Sequence, residues 1–522
     1  MNTMKNKLVY LAVLGAFGLS ACGGNSENAL SDLFNSPSNS QESTVTGVIT
    51  GFGSVFVDGV EYETDDSGFT VDGRSATEDD LAIGMVVTLN GTVNPDGSTG
   101  WASHVSFDNE LEGAVVENNV LTDGTLNIMG QTVKIDAETI FESKIPGVTT
   151  IEQIVAGNIV EVSGFPNGSG TIHATRLELK NSAHHSNETM EVKGVIANLD
   201  TQNQTFTLGN LTIDYSNAFL EHITSLNNGL YVEVKSNQPL NGTTLNAGKV
   251  ELEGSGSLER HGDDGDELEF EGIVVSLGND SSFVVNGQTV FYNNRTEFEH
   301  GTLNDLVVDA RVKVEGRFNR NGELLAEEVE FRARSRYEVS GHIESIDNDD
   351  KSINIMGSNI SLNNHTIMKD DRDDAMEPVR YFDIDDLASD DWVEIKFYQD
   401  DNGNLVATKF ERDDNDDNYL DDWSVEGYVT SIDNVNFMLE VSGYTVDYSA
   451  FPTFNVNVGT RIEAEGSYNN GVLTAFEIEL EDDYDDHYND SDDYDRDDDD
   501  DDYDDHDEHE FEDDDDHDRD DD

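Results

Sequence analysis

The sequence predicts an all-β fold class, with six tandem, small, five-stranded OB-like β-barrels arranged like beads on a string and followed by a disordered acidic tail. One eight-residue block with alternating apolar side chains recurs six times along the 522-residue chain. Glycine is abundant (45 residues) and proline is scarce (7), which is typical of many short strands joined by tight turns. Six copies of one strand indicate six copies of one module. The blocks are GMVVTLNG, GNIVEVSG, GLYVEVKS, DARVKVEG, DDWVEIKF and GTRIEAEG, beginning at residues 84, 157, 229, 309, 390 and 459.

Each module is predicted to contain five strands in one order. The first strand carries a glycine, such as Gly113, where a bulge or sharp bend is expected. A hairpin with a glycine turn follows, for example around Gly287 in FVVNGQTV. About ten residues, enough for one or two helical turns, then lead to the recurring block, which forms the fourth strand. A turn such as Asn167-Gly168 connects it to the fifth strand.

Three strands, a short helical connection and two more strands are the element order of an OB-like barrel. A β-sandwich is the main alternative, but five strands are few for one. A β-solenoid is less favoured because its rungs repeat every ~20–30 residues. The predicted modules are residues 44–108, 109–181, 189–253, 266–333, 336–412 and 421–481.

The first 22 residues have the features of a secretory signal. Lys5 and Lys7 precede the apolar run LVYLAVLGAFGL, and small residues end the segment. The tetrad LSAC, which ends at Cys22, resembles the lipobox of bacterial lipoproteins, and this cysteine is the chain's only one. The resemblance implies a signal peptide at residues 1–21, lipidation of the cysteine and, because glycine follows it, outer-membrane anchorage. Residues 22–43 are predicted to be a flexible tether. An ordinary secretory signal is the alternative.

The repeat resembles a widespread all-β domain of unknown function, found singly and in tandem in bacterial lipoproteins and secreted proteins. The resemblance rests on V-x-G-x-I, F-x-V-x-G, a T-x-F step, G-x-x-V-x-V-x-G and L-x-A-x-x-I/V-E, repeated across residues 44–481. Module five departs from the pattern: its block ends in Phe397, and it carries the insertion KDDRDDAMEPVRYFDIDD. Module three has Ser236 at the block's end. The family has no assigned activity, so the resemblance implies a fold and no chemistry.

The formal net charge of −82 is the strongest compositional signal. Residues 482–522 contain 28 Asp and Glu against two arginines, so this tail carries −26, and the remaining −56 is spread over the rest of the chain. Such a field repels nucleic acid and anionic lipid headgroups, and it attracts cations and basic partners. The charge therefore argues against nucleic acid as a partner. Solubility at high ionic strength is a simpler explanation for it.

A stretch between modules five and six has the spacing of a calcium loop. Oxygen side chains occupy positions 1, 3, 5 and 9, and position 7 offers a backbone carbonyl, as in a seven-coordinate Ca²⁺ site. Ser424 stands where a bidentate glutamate is usual, which predicts weak binding. The alternative is an acidic linker with solvated charges. The candidate ligands are Asp413, Asn415, Asp417, Tyr419 and Asp421.

The tail at residues 482–522 is predicted to be disordered, because it has too few apolar residues for a core. Its carboxylates are expected to collect Ca²⁺ or Mg²⁺ with low specificity, and its histidines add affinity for transition metals. A solvated spacer is the alternative. The residues assigned to this cation-binding tail are Asp497, Asp498, Asp499, Asp500, Asp501, Asp502, His506, His509 and His517.

Three other polar groups are better explained by turn or linker chemistry than by a ligand. His184 and His185 lie in the linker after module two. Acidic residues gather at 347–350, and Asx-rich turns of this kind are common without metals. The third group, in the insertion of module five, comprises Asp370, Asp371, Asp373 and Asp374.

The sequence contains no G-x-S-x-G elbow, H-E-x-x-H pair or P-loop. It therefore favours a non-enzymatic cell-envelope lipoprotein, a structural or binding rod whose acidic tail collects divalent cations. The alternative is a surface on the barrel faces that binds an oligosaccharide or a protein, with envelope polysaccharide or a basic protein as the partner. An enzyme that uses the insertion of module five as a lid is a third, less favoured hypothesis.

Overall fold

The structure is a computed structural model that describes residues 43–95, 97–186, 188–253, 267–372, 381–400, 402–413 and 423–481. Almost all regular structure in these ranges is β-strand, and the strands form tandem five-stranded barrels, which confirms the predicted fold class. The strands group into six modules, numbered here in chain order. The single α-helix of the described ranges is one turn, Val120–Asp123, inside a hairpin of module 2.

Modules 1 and 2 contain the complete set of elements. Module 1 has β1 Ser43–Phe52, β2 Val55–Val57, β3 Val60–Glu63, β4 Gly68–Val71, β5 Arg74–Ala76, a 3-10 turn Glu78–Asp80, β6 Val86–Val93 and β7 Thr99–Phe107. Module 2 has β8 Leu111–Asn119, α1 Val120–Asp123, β9 Thr125–Ile128, β10 Gln131–Lys134, β11 Ile140–Ser143, a 3-10 turn Ile151–Gln153, β12 Ile159–Pro166 and β13 Thr171–Asn181.

Module 3 has broken first and last strands, and module 4 has continuous ones. Module 3 has β14 Met190–Val195, β15 Ala197–Asp200, β16 Thr205–Leu208, β17 Leu211–Asp214, β18 Phe219–Glu221, β19 Tyr231–Ser236, β20 Thr244–Asn246 and β21 Lys249–Leu252. Module 4 has β22 Glu267–Leu277, β23 Ser282–Val285, β24 Gln288–Phe291, β25 Glu297–Glu299, a 3-10 turn Leu303–Asp305, β26 Arg311–Phe318 and β27 Leu324–Phe331.

Module 5 repeats this order with a broken first strand, and module 6 is the shortest. Module 5 has β28 Tyr337–His342, β29 Ser345–Asp347, β30 Ser352–Ile355, β31 Ser358–Ser361, β32 Ile367–Asp370, a 3-10 turn Ile384–Asp386, β33 Trp392–Gln399 and β34 Leu405–Asp413. Module 6 has β35 Trp423–Asp433, β36 Met438–Val441, β37 Tyr444–Asp447, β38 Arg461–Asn469 and β39 Val472–Leu480.

The strand order closes each complete module into a barrel. In module 1, β1 pairs with β2, β2 with β3, β3 in parallel with β7, β7 with β6, and β6 again with β1. Modules 2, 4 and 6 close in the same way. The predicted helical connection is a 3-10 turn in modules 1, 2, 4 and 5. It is preceded by a short strand, such as β11, that pairs in parallel with the last strand.

The recurring block is the fourth barrel strand, and its two ends explain its residue types. The residue that opens the block adopts a left-handed conformation, with φ of 93° at Gly157, 69° at Asp309 and 82° at Asp390, as glycine and aspartate tolerate best. At the other end, Gly164 lies at a bulge, where a Cβ would stand 2.1 Å from the carbonyl oxygen of His173. Glycine is therefore required there by close backbone contact.

Neighbouring modules share sheets through their first strands. The first half of β8 pairs with β12 inside its own barrel, and its other edge pairs with β14 of module 3. In the same way β28 pairs with β35, which joins modules 5 and 6. The buried side chains of modules 2 and 3 form one continuous cluster, and so do those of modules 5 and 6. These barrels are therefore fused in pairs.

Modules 1 and 4 are joined although two modules lie between them in the chain. The free edge of β1 pairs in parallel with β22, where Thr44 opposes Leu268. A small buried cluster of Val48, Phe165 and Ile273 connects modules 1, 2 and 4. The arrangement therefore differs from beads on a string: an opening strand with one unpaired edge in its own barrel gains hydrogen bonds by pairing with another module.

Candidate functional site

The most concentrated group of basic side chains in the described chain lies between β27 and β28. The segment is RARSR, residues 332–336, and its three arginines stand out in a chain with 29 Lys and Arg against 111 Asp and Glu. Modules 1, 2, 4 and 5 meet at this segment. We call it the arginine segment, and its buried surroundings the four-module junction.

Arg332 points into the junction. Its guanidinium contacts the carboxylate of Asp58 in module 1 and lies 3.1 Å from Glu330 and 3.5 Å from Glu271 in module 4. The Arg332 side chain is 13% exposed, and burial lowers its pKa to about 10, so the group stays charged at neutral pH. One buried cation therefore links carboxylates of two modules that are distant in sequence.

A second arginine and two glutamates extend the network. The Nε of Arg311 lies 2.5 Å from Glu271, and its guanidinium lies over the ring of Phe165 in module 2, 5.3 Å from the centroid. The backbone N–H of Ser335 donates to Glu138 of module 2 at 2.7 Å. Burial, and then the nearby Asp136, raise the pKa of Glu138.

His173 completes the junction on the side of module 2. Burial, followed by the nearby charge of Lys134, lowers the pKa of His173 to about 4, so the imidazole is neutral at physiological pH. Lys134 and Asp309 form an ion pair at 3.3 Å between modules 2 and 4. The cavity among these groups is about 10 Å³, room for roughly one water molecule. The junction is thus a packed contact between modules, too small to admit a substrate.

The solvent side of the arginine segment is an open groove of about 300 Å³. Its wall is the end of β33, where the N–H of Arg336 donates to the carbonyl of Phe397 at 3.0 Å. The Arg336 side chain is exposed, and among the described residues no carboxylate forms an ion pair with it. The groove is lined by Arg332, Ala333, Arg334, Arg336, Tyr398 and Gln399. Guanidinium groups beside an aromatic ring form a surface suited to carboxylates.

Among the described residues, three small groups of glutamate and histidine side chains have oxygen or nitrogen atoms close enough to share a cation. Lys249 already forms ion pairs with two members of the first group, at Glu221 and Glu251. Lys235 forms one with Glu233 of the second at 3.0 Å. The third is partly exposed, and such groups are common without an ion. The groups are Glu221–His222–Glu251, Glu233–Glu251–Glu253 and Glu297–Glu299–Glu328.

Most site residues predicted from the sequence lie outside the described residues. Of the calcium candidates, Asp413 is the exposed last residue of β34 and pairs with Trp392 in the sheet. The others, Asn415, Asp417, Tyr419 and Asp421, and also Cys22 and every tail residue from Asp497 to His517, fall outside the described ranges. The calcium loop and the tail site therefore stay predictions.

The polar groups ascribed to turns behave as turn residues. The Asp347 carboxylate accepts hydrogen bonds from the N–H groups of Asp349 and Asp350, both at 3.1 Å, which is an Asx turn. Asp370 is fully buried and forms ion pairs with Arg412 and Arg372, so it has a structural partner. In the histidine linker, the N–H of His185 donates to Glu188 at 2.8 Å. Asp373 and Asp374 lie outside the described residues.

The arginine segment was not found by sequence reasoning. The available signal was three arginines within five residues of a strongly acidic chain, at a linker between modules. Its acidic partners, Asp58 and Glu138, could not be recognised from the sequence, because they come from distant modules.

The fold defines a class of protein, a tandem-repeat protein of joined five-stranded β-barrels. Five segments, residues 42–106, 112–178, 271–330, 340–411 and 426–479, match the family described as "Domain of unknown function (DUF5666)". These matches cover more than half of the chain, which therefore belongs to this family. Module 3 lies outside the matched segments, although its strand order is the same with interruptions.

Comparisons with curated proteins and with solved structures identify no further relationship that bears on function. No curated protein matches the chain. One solved structure with a match is titled as a multidomain protein with nucleic acid binding domains from Streptococcus pneumoniae TIGR4. It is 9% identical, covers 41% of this chain and 73% of its own, and has a TM-score of 0.12, too low to support an argument. Within the described ranges, no helix is both long and apolar enough to cross a membrane.

Proposed function

We propose that this chain is a non-enzymatic cell-envelope lipoprotein. In this proposal Cys22 carries the lipid anchor in the outer membrane, and residues 22–43 connect it to the barrels. The joined barrels form a rigid structural or binding body. The acidic tail collects divalent cations at its far end.

The observation that carries the proposal is the way the barrels are joined. Pairs of modules share sheets and cores, and the four-module junction is held by buried ion pairs. The cavity at that junction is too small for a substrate. A body whose charged side chains are used for contact between modules is suited to support or to presentation of a surface, and its outer charge attracts cations.

The cation part rests on charge and spacing. The tail carries 28 Asp and Glu in 41 residues, and the stretch from Asp413 to Asp421 has oxygen side chains at calcium-loop spacing. The first position of that stretch, Asp413, is exposed at the end of β34. We expect weak binding at the loop and low-specificity binding at the tail.

Calcium titration of the full chain tests this part. Thermal melting followed by circular dichroism is expected to shift upward by roughly 2–4 °C at millimolar CaCl₂. The double variant Asp417→Asn/Asp421→Asn is expected to lose the shift, whereas Asp66→Asn, at an exposed turn of module 1, retains it. Equilibrium dialysis is expected to show fewer bound Ca²⁺ for a chain that ends at Glu481. A melting temperature that does not change with CaCl₂, together with equal Ca²⁺ binding by the full and the shortened chain, would contradict the proposed cation binding.

The anchor is tested separately. Replacement of the only cysteine, Cys22→Ser, is expected to abolish incorporation of labelled palmitate and to release the protein from the membrane fraction. The matched control Ser26→Ala, four residues later, leaves both unchanged. Palmitate incorporation that persists in Cys22→Ser would contradict lipidation at this residue.

A further inference from the structure

The groove beside the arginine segment exposes one guanidinium group to solvent. Arg336 is exposed, and the described residues place no carboxylate within ion-pair distance of its guanidinium. Tyr398 and Gln399 form the wall of the groove. A guanidinium beside such a wall is best satisfied by a carboxylate, which it binds through two parallel hydrogen bonds.

The chain leaves its last barrel at the same end as this groove. Arg336 immediately precedes β28, whose first residue, Tyr337, packs against Gly427 of β35. Gly427 opposes Ile462 of β38, and Ile462 opposes Leu480, the last residue of β39. Three strand spacings of about 4.8 Å therefore separate Tyr337 from Leu480, roughly 15 Å in all. About six extended residues beyond Glu481 are enough to reach Arg336.

The tail that continues from this point has the matching charge. Residues 482–522 carry −26, and the remaining chain carries −56, so most of the molecule repels the tail. The arginine segment, with three arginines in five residues, is the densest run of positive charge in the sequence. A short covalent connection also gives the tail an effective concentration on the order of millimolar at the groove.

We propose that the acidic C-terminal tail docks onto the arginine groove, with carboxylates from its first dozen residues bound to Arg336. The tail then acts as an intramolecular ligand that covers the groove. Salt and divalent cations weaken the contact, because both compete for the same charges. The proposal does not depend on lipidation or on a specific calcium site.

Arginine-specific labelling of the full chain tests the docking. Phenylglyoxal modification, read residue by residue by mass spectrometry, is expected to be roughly fivefold slower at Arg336 than at Arg74, an exposed arginine of module 1. The difference is expected to disappear in 1 M NaCl, where the Debye length is about 3 Å. Equal rates at the two arginines in low salt would overturn the proposal.

Two full-length variants with equal charge changes separate docking from a general field effect. The near set, Asp485→Asn, Asp486→Asn, Asp490→Asn and Asp492→Asn, is expected to remove most of the protection of Arg336. The far set, Asp516→Asn, Asp518→Asn, Asp521→Asn and Asp522→Asn, is expected to retain it. Equal loss in both sets would assign the protection to the overall field and contradict docking. Protection that appears only on addition of polygalacturonate would make the occupant an anionic polysaccharide instead of the tail.

Discussion

The joint between modules 2 and 3 and the joint between modules 5 and 6 are built by the same pairing of first strands, but they balance charge differently. Each joint places two glutamates opposite one another, Glu112 with Glu191 and Glu338 with Glu426. Each also continues this row of glutamates onto the next strand of a barrel. Like charges opposite one another destabilise a sheet unless cations lie between them.

In the joint of modules 2 and 3, lysines neutralise the row. Lys180 lies 3.0 Å from Glu112 and 2.6 Å from Glu161, and Lys235 lies 2.9 Å from Glu191. Burial raises the pKa of Glu112 to about 7, and Lys180 opposes that rise. Every glutamate named here therefore has a lysine partner.

In the joint of modules 5 and 6, the row contains more glutamates than basic side chains to pair with them. Lys396 lies 2.9 Å from Glu338 and Arg461 lies 2.7 Å from Glu426. Glu463, opposite Glu426 on β38, has no ion-pair partner among the described residues. Burial, followed by Glu338 and Glu426, raises the pKa of Glu463 to about 8. Among the described residues, the same backbone joint thus gives every glutamate of the row a lysine partner in one place and leaves Glu463 without a cation in the other.

The largest expected effect on stability comes from removing a lysine at the joint of modules 2 and 3. Lys180→Met leaves Glu112 and Glu161 partly buried without a counter-charge, and we expect a loss of about 3 kcal/mol at pH 8. Hydrogen exchange of the β12 and β13 amides measures it. The control Lys351→Met, at an exposed turn of module 5, is expected to change little. A loss below ~1 kcal/mol would mean that Lys180 does not stabilise the joint.

A smaller effect is expected from the glycine at the end of the block in module 2. Gly164→Ala brings a Cβ to 2.1 Å from the carbonyl of His173, so the strands must separate, at a cost of about 2 kcal/mol. Gly157→Ala, whose φ is 93° and which has no atom near its Cβ, is expected to cost only about 1 kcal/mol. Exchange of β12 amides measures both, and equal costs would contradict the close contact at Gly164.

The smallest expected effect is a gain in stability, and it concerns the joint of modules 5 and 6. The raised pKa of Glu463 means that the folded state holds a proton which the unfolded state releases, so stability falls as the pH rises from about 5 to about 8. Glu463→Gln removes this fall. We expect a gain of about 1 kcal/mol at pH 9 and almost none at pH 5, after allowance for solvent screening.

Tryptophan fluorescence during urea unfolding measures this gain. Two of the chain's three tryptophans, Trp392 and Trp423, lie at the joint with ring centroids 6.4 Å apart. Glu477→Gln, at an exposed position of β39, serves as the control and is expected to leave the pH dependence unchanged. A Glu463→Gln protein that keeps the wild-type pH dependence would show that another group causes it.

The sequence predicted the barrels because each recurring block contains its own strand, turn and bulge. Gly157 and Gly164 are the two ends of the recurring block in module 2, where a left-handed conformation and a close backbone contact favour glycine, and their spacing is visible in the sequence. The short strand before the fourth strand was not predicted. In module 2 this strand is β11, and because it pairs in parallel with β13, no hairpin turn in the sequence marks it. The helical turn was expected in all modules but forms in four, each capped by Thr or Asp.

The joints and the arginine segment could not be predicted in the same way. First strands of different modules share the same V-x-G pattern, so local sequence does not specify that β1 pairs with β22 and not with β8. The choice is made by side chains outside the repeat pattern. Arg332 and Asp58 show this, because they are far apart in the chain and only the folded arrangement brings them together.

A double-mutant cycle between Asp58 and Arg332 tests most directly whether sequence-distant modules are joined. Asp58→Asn, Arg332→Gln and the double variant are compared through the opening free energies of the β1 and β22 amides in the full chain. Since the pair is buried and connects module 1 to the end of module 4, we predict a coupling of about 2 kcal/mol or more. A coupling within ~0.5 kcal/mol of zero would mean that the two modules behave as separate beads.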